Sequence, residues 1–188
     1  HADIPLNADG LAQAGRTAAR LHGVHFDAVY SSDLGRASMT ARLAYPQASL
    51  IIEPRLRELR FGIFEGKRLE DMTEEEHALV HHWWRDPYVS RLPGGETYKE
   101  MEERLVSWRD ELPAEGRFLA VTHGGPIRCM VYETMGKPQN RAWTVHLDNC
   151  GLTRIVYESG RTTVVSVNDC GHLVVPPAWP PVAVGSRP

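Results

Sequence analysis

The sequence has few cysteines and no long apolar run, and both absences narrow what the protein can be. Its three cysteines, Cys129, Cys150 and Cys170, match neither a Cys-x-x-Cys pair nor zinc-finger spacing. We therefore expect reduced, mostly buried thiols and a location in the cytoplasm. The sequence contains no stretch of about 18 apolar residues, and residues 1–20 lack the order of a secretory signal. These features predict a soluble protein that does not enter a membrane.

The net charge is small as well. A formal charge of −3 offers no general attraction for nucleic acid or anionic lipid. Any anion would therefore have to be bound by a local cluster of arginine and histidine. A hydrophobic content of 42% over 188 residues is enough for one well-buried core. We predict one domain over residues 1–173, followed by a proline-rich tail over 174–188 that runs extended or is disordered.

Segments typical of helices and of strands alternate along the chain, which indicates a layered α/β fold. The pattern predicts helices over about 8–22, capped by Asn7, over 33–45 and from Glu96 onward. It predicts strands over about 26–30, 50–53, 119–121, 152–157 and 162–167. We expect the last two strands to pair as an antiparallel hairpin through Ser159-Gly160 and to complete the sheet. The predicted fold is a mostly parallel central sheet with helices on both faces.

Residues 119–128, Leu-Ala-Val-Thr-His-Gly-Gly-Pro-Ile-Arg, combine a short apolar strand, a glycine turn and the start of a helix. Gly124 and Gly125 permit a sharp turn, and Pro126 suits the first helical position. Helix N-termini and the carboxyl ends of parallel strands both favour anions. His123 and Gly124 are therefore candidates for binding phosphate. The alternative is that His123 only satisfies polar groups at a strand end.

Two other segments supply groups suited to the same chemistry. Arg36 projects from the first turns of the helix after the first predicted strand, where a guanidinium can grip two phosphate oxygens. Glu58 lies in a loop with Phe61 and Phe64, an apolar setting that can raise the pKa of a carboxyl and keep its proton available. Glu65 is the competing carboxylate. The alternatives are a solvated helix arginine and ordinary exposed loop acids.

Residues 67–95 carry histidines and tryptophans whose role is less specific. His77 and His81 share one helical face, as a zinc pair would need, but no third ligand accompanies them, and we predict no metal. Trp83 and Trp84 could cover a ligand mouth, although aromatics buried in a core are commoner. We expect this stretch to form a helical cap in which substrate choice is made.

The chain carries five short motifs in a fixed order. They are His1-Ala-Asp-Ile-Pro-Leu-Asn7 with Gly10; Ser31-Ser-Asp-Leu-Gly-Arg-Ala37 with Thr40; Glu58 with Phe61-Gly62 and Glu65-Gly66; Leu92-Pro-Gly-Gly-Glu96; and Thr122-His-Gly124. A chain with these motifs resembles the histidine phosphatase superfamily, in its phosphoglycerate mutase-like branch. The resemblance implies that Arg36 binds phosphate, that Glu58 is the general acid and base, and that His123 contacts the transferring phosphoryl group. It also implies a phosphohistidine intermediate, with no metal or other cofactor.

The family's nucleophile is missing from the sequence. Members carry it as the histidine of an Arg-His-Gly triplet at the end of their first strand, and no such triplet occurs here. His22, which precedes Gly23, is better explained as a residue near a helix C-terminus. We expect the intact polypeptide to carry Arg-His-Gly on a strand within about two dozen residues before His1, since βα connections are short. Sequencing the gene or measuring the intact mass tests this, and an upstream segment without that histidine would favour a non-catalytic scaffold.

Three functions remain open. The first, which the resemblance favours, is a phosphomonoesterase acting on a small phosphorylated metabolite. The second is a cofactor-dependent phosphoglycerate mutase, which needs extra cationic groups and a closing cover to exclude water. Only 64 residues separate Glu58 from His123, without the basic insertion of resembling mutases. The third is a non-catalytic phosphate-binding or scaffold protein. We expect neither nucleic acid nor membrane as a partner, and the oligomeric state stays open, with a homodimer among the alternatives.

Overall fold

Ten regular elements make up the part of the chain that the computed structural model describes, which is residue 1 and residues 3–136, 144–158 and 160–173. They are α1 (Ala8–Leu21), β1 (Ala28–Ser31), α2 (Gly35–Ala44), β2 (Leu50–Ile52), α3 (Glu74–Arg85), α4 (Tyr98–Asp110), β3 (Phe118–Val121), α5 (Gly124–Thr134), β4 (Leu152–Glu158) and β5 (Arg161–Asp169). Short 3-10 turns lie at Pro54–Leu56, Gly62–Phe64 and Leu69–Asp71. The predicted tail over 174–188 and Ser159 of the predicted turn lie outside the described residues.

A three-stranded parallel sheet forms the centre of the α/β fold and confirms the predicted class. β1 lies between β2 and β3, with Val29 opposite Leu50 on one side and opposite Leu119 on the other. The pairing of β1 with β3 runs up to Val121, and the amide of Ser32 donates to the carbonyl of Val121 at 3.0 Å. The loops that leave these two strands therefore begin side by side at the carboxyl edge of the sheet.

The antiparallel hairpin of β4 and β5 is also confirmed, but its predicted place in the central sheet is wrong. Within the described ranges the two strands pair only with each other, as a separate two-stranded sheet. Side chains join the hairpin to the body instead, since Ile155, Val164 and Val167 pack against the main core. A pattern of apolar residues indicates that a strand is half buried, but it does not indicate which strand it pairs with.

Local sequence signals explain where the helices start. The Asn7 side chain accepts a hydrogen bond from the amide of Gly10 at 2.9 Å and caps α1 as the sequence predicts. Thr97 and Glu100 form a reciprocal capping box at the start of α4. The inward face of α4 then supplies the centre of the core with Tyr98, Met101 and Leu105, all essentially without solvent contact. In the described part, none of the helices has both the length and the apolar character needed to cross a membrane.

Two loop segments, residues 60–63 and 93–96, cross each other at close range. The amide of Ile63 donates to the carbonyl of Pro93 at 3.0 Å, and the amide of Glu96 donates to the carbonyl of Arg60 at 2.9 Å. Gly62 has a φ of +60°, and a Cβ there would lie 2.0 Å from the Pro93 oxygen. A Cβ at Gly95 would lie 2.7 Å from the Arg60 oxygen. Only glycine fits at these two points.

Residues 67–95 contain one 3-10 turn and α3, and their cap role stays a prediction. Trp83 is buried and packs edge-on against Phe61, with ring centroids 5.8 Å apart, so it belongs to the core. Trp84 is about half exposed. No disulfide joins the three cysteines, of which Cys129 is buried and the other two are half-buried.

Candidate active site

His123 is held at the junction of β3 and α5, next to the end of β1. It occupies the position just before the first residue of α5, is 8% exposed, and its Nε2 lies 3.0 Å from the hydroxyl oxygen of Ser32. That hydroxyl also accepts a hydrogen bond from the amide of Leu34 at 3.3 Å. The imidazole is therefore fixed by a side chain that is 91 positions distant in sequence.

The surroundings keep His123 neutral. Burial lowers the pKa of His123 to about 3, with the positive charges of Arg36 and Arg104 adding to the effect and Asp33 opposing it. The imidazole is thus uncharged at pH 7 in the unliganded protein. A phosphate dianion bound against it would offset these charges and raise its pKa again. The neutral ring does not repel the neighbouring arginines while the site is empty, and it can hydrogen-bond to a phosphoryl oxygen once phosphate binds.

Glu58 reaches across to the first turn of α5. Its Oε1 accepts hydrogen bonds from the amide of Leu59 at 2.8 Å and from the amide of Gly125 at 3.0 Å. A Cβ at position 125 would lie 2.1 Å from that oxygen, so the approach requires glycine. The side chain of His123 makes no capping bond to α5. Glu58 thus satisfies one of the helix-start amides from a distant loop.

Burial also prepares Glu58 to carry a proton. Removal of its carboxyl from water raises the pKa of Glu58 above its ordinary value, although the Leu59 and Gly125 amides and the charges of Arg36 and Arg128 pull in the opposite direction. A raised pKa brings a carboxyl closer to neutral pH, where an acid and base is most effective. The geometry agrees with the predicted role of Glu58, which stays a prediction.

Two guanidinium groups face this acid. Arg36, the second residue of α2, is half-buried and lowers the pKa of both His123 and Glu58, which places its charge within range of both groups. Arg128 of α5 donates to the carbonyl of Val145 at 2.8 Å, and a Cβ at Gly124 would lie 2.8 Å from one of its guanidinium nitrogens. A positive field therefore surrounds the N-terminus of α5, which itself favours anions.

The other candidates have different positions. Glu65 accepts a hydrogen bond from the amide of Phe61 at 2.7 Å and so stabilises its own turn. His77 and His81 are exposed on α3. No group of three or more potential metal ligands occurs among the residues that the structure describes. The structure thus brings together Arg36, Glu58, His123 and Gly124, which are the predicted set.

Sequence reasoning assigned no role to Ser32, which holds His123, or to Arg128 and Arg104, whose charges act on Glu58 and His123. It also named the Leu92–Glu96 segment without giving it a role. The charge of Arg104 reaches His123, and its side chain contacts the loop of Glu58. The only signal was an arginine on a helix that follows a glycine-rich loop, which is too common to single out.

Comparison with known proteins gives consistent results. The family model of the histidine phosphatase superfamily (branch 1) matches residues 1–170. A probable phosphoglycerate mutase GpmB from Yersinia pestis (strain Pestoides F) is 32% identical, over 93% of this chain and 86% of the relative. A crystal structure from Escherichia coli K-12, provisionally described as an alpha-ribazole-5'-P phosphatase, has 28% identity and a TM-score of 0.81 over 90% of this chain and 86% of that one. The alpha-ribazole phosphatase of Shigella flexneri has 26% identity and a TM-score of 0.78 over the same shares.

Proposed function

We propose that this chain, which belongs to the histidine phosphatase superfamily (branch 1), is a phosphomonoesterase that acts through a phosphohistidine on a small phosphorylated metabolite. The observation that carries the proposal is the contact between the Glu58 carboxyl and the Gly125 amide, 3.0 Å long, at the helix start beside His123. Glu58, a proton donor with a raised pKa, thus lies next to the N-terminus of α5, where a phosphoryl group would bind.

The proposed reaction has two steps. A histidine of the Arg-His-Gly type, expected upstream of His1, attacks phosphorus while the bond to the leaving oxygen breaks and Glu58 gives that oxygen its proton. Arg36, His123 and the amides at the start of α5 stabilise the charge on the remaining phosphoryl oxygens. Water then attacks the phosphohistidine, Glu58 takes a proton from it, and phosphate leaves with the histidine restored.

Two features support hydrolysis over transfer between sugar acids. The 64 residues between Glu58 and His123 hold α3, α4 and β3. Within that span Arg91 pairs with Glu100 at 2.9 Å, so its charge is offset and less available to a bisphosphorylated intermediate. A phosphohistidine under a short cover is open to water. The neighbouring structures described as alpha-ribazole phosphatases support the same proposal.

The full-length protein should release phosphate faster than it isomerises phosphoglycerate. The test incubates it with 3-phosphoglycerate and 2,3-bisphosphoglycerate and follows 2-phosphoglycerate and free phosphate together. Alpha-ribazole 5'-phosphate and p-nitrophenyl phosphate serve as parallel substrates. Fast formation of 2-phosphoglycerate that depends on the bisphosphate, with little phosphate released, would instead establish the mutase. Phosphate binding without turnover of any ester would favour the scaffold.

A further inference from the structure

Arg104 of α4 forms an interior ion pair with Glu96 and also binds the loop that carries Glu58. The two side chains are 19% and 11% exposed. Nη2 of Arg104 donates to Oε1 of Glu96 at 2.7 Å, and Nε donates to Oε2 at 3.2 Å. The same guanidinium donates to the main-chain carbonyls of Arg55 and Glu58, the latter at 3.1 Å. One cation therefore ties a carboxylate to two points of the loop.

Glu96 holds the same loop at a third point. Its Oε1 accepts a hydrogen bond from the amide of Arg60 at 3.0 Å, and its own amide donates to the carbonyl of Arg60 at 2.9 Å. The backbone on both sides of the Glu58 side chain is thus fixed by one ion pair. Buried ion pairs add little net stability over an apolar pair of similar size, because both charges must leave water. Their contribution lies in fixing one geometry.

We propose that Arg104 and Glu96 are positioning residues that hold the Glu58 side chain over the start of α5. The inference rests on the proposed function of Glu58 as acid and base. Neither Arg104 nor Glu96 needs to touch substrate for this role. Without the pair, the loop from Arg55 to Arg60 could shift and carry the carboxyl away from the Gly125 amide and into water. A misplacement of about 1 Å in a catalytic group can cost on the order of 10²-fold in rate.

The variant Arg104→Lys separates this role from charge, because lysine keeps the charge near His123 and loses the planar fork that reaches several acceptors. In the full-length protein we expect kcat to fall by on the order of 10²-fold for an alkyl phosphate. The loss should be much smaller for p-nitrophenyl phosphate, which needs little protonation of its leaving group. KM should change little, since Arg36 and His123 still bind the phosphoryl group.

A double-mutant cycle tests whether Arg104 acts through Glu58. In a Glu58→Gln background, adding Arg104→Lys should cost almost nothing more, because the group that it positions is already disabled. Equal losses in both backgrounds, or equal losses on both esters, would overturn the inference. Where Arg104→Lys does not fold, Glu96→Gln replaces it. That variant keeps an acceptor for the Arg60 amide and removes the charge pairing, and the same expectations apply.

Arg109→Lys is the matched control. Arg109 lies on the same helix, its side chain is also 19% exposed, and it pairs with Glu133 at 2.9 Å. We expect this variant to lose some thermal stability and to keep the wild-type ratio of rates on the two esters. A loss selective for the alkyl ester in Arg109→Lys would mean that any disturbance of α4 has this effect, and the inference would fail.

A titration of the Glu58 carboxyl by carbon-13 NMR, assigned through Glu58→Gln, needs no activity. Burial is the main cause of the raised pKa of Glu58, so that pKa should fall toward its ordinary value in Arg104→Lys and stay raised in Arg109→Lys. An unchanged Glu58 pKa in Arg104→Lys would overturn the inference. If the pKa moves as expected but the wild type hydrolyses no ester, the proposed function fails and the positioning role stands.

Discussion

Replacing His123 with alanine in the full-length protein should lower kcat by on the order of 10²–10³-fold, the loss found for single preorganised donors to a transition state. His123 is fixed by Ser32 before any substrate arrives, so its hydrogen bond to a phosphoryl oxygen requires little rearrangement. Arg36→Ala should cost a similar factor, because the charge that it removes lies within range of both His123 and Glu58. Steady-state hydrolysis of p-nitrophenyl phosphate, with circular dichroism as a check on folding, measures both effects.

Matched controls are exposed residues of the same two types. Arg42 is an exposed arginine of α2, and His25 is an exposed histidine before β1. Arg42→Ala and His25→Ala should leave kcat near the wild-type value, since neither residue has been placed at the site. Both His123→Ala and Arg36→Ala should stay folded. A His123→Ala variant that is folded and as active as wild type would remove His123 from the site.

Glu58→Gln should slow esters with poor leaving groups far more than p-nitrophenyl phosphate. General acid catalysis contributes about 10²–10⁴-fold when the leaving oxygen must be protonated, and little when it leaves readily as an anion. The measurement compares kcat for an alkyl phosphate and for the nitrophenyl ester in both proteins. Glu65→Gln is the control, since that carboxylate is the competing candidate and accepts a hydrogen bond from the Phe61 amide of its own turn. Equal loss on both esters in Glu58→Gln would mean that Glu58 is structural.

The same substitution has an expected effect on stability. The pKa of Glu58 is raised in the folded protein, so folding is favoured by protonation of this group. Its contribution is present at low pH and is lost as the pH rises through the unfolded and then the folded pKa. At neutral pH the ionised Glu58 carboxylate is costly to bury, and Glu58→Gln removes that cost. Urea unfolding should therefore show the variant to be more stable than wild type at neutral pH. The difference should shrink as the pH falls.

Local signals in the sequence predicted most of the elements and the site. The Asn7 cap, the glycine turn after β3 and the arginine just after β1 each identify a position without knowledge of distant contacts. A parallel sheet brings the carboxyl ends of its strands to one edge, so the residues that follow β1 and β3 lie close together. Arg36 and His123 were found in this way.

Contacts between distant segments were harder to predict. The helix expected from Glu96 begins at Tyr98, because Glu96 turns inward to Arg104 and leaves the cap to Thr97. α5 begins at Gly124, two residues before Pro126, since a Glu58 carboxylate from another loop supports its first turn. Both corrections depend on partners that spacing along the chain does not reveal.

The tight crossing at Gly62 and Gly95 limits how descendants of this protein can diverge. A methyl group at either position would force apart the two loop segments that bear Glu58 and Glu96, because it would meet backbone atoms at 2.0 Å and 2.7 Å. We therefore expect both glycines to stay unsubstituted. Residues 67–91 contain no glycine, and Trp84 in this stretch is half exposed. We therefore expect insertions and replacements to accumulate in that stretch, while the crossing is inherited unchanged.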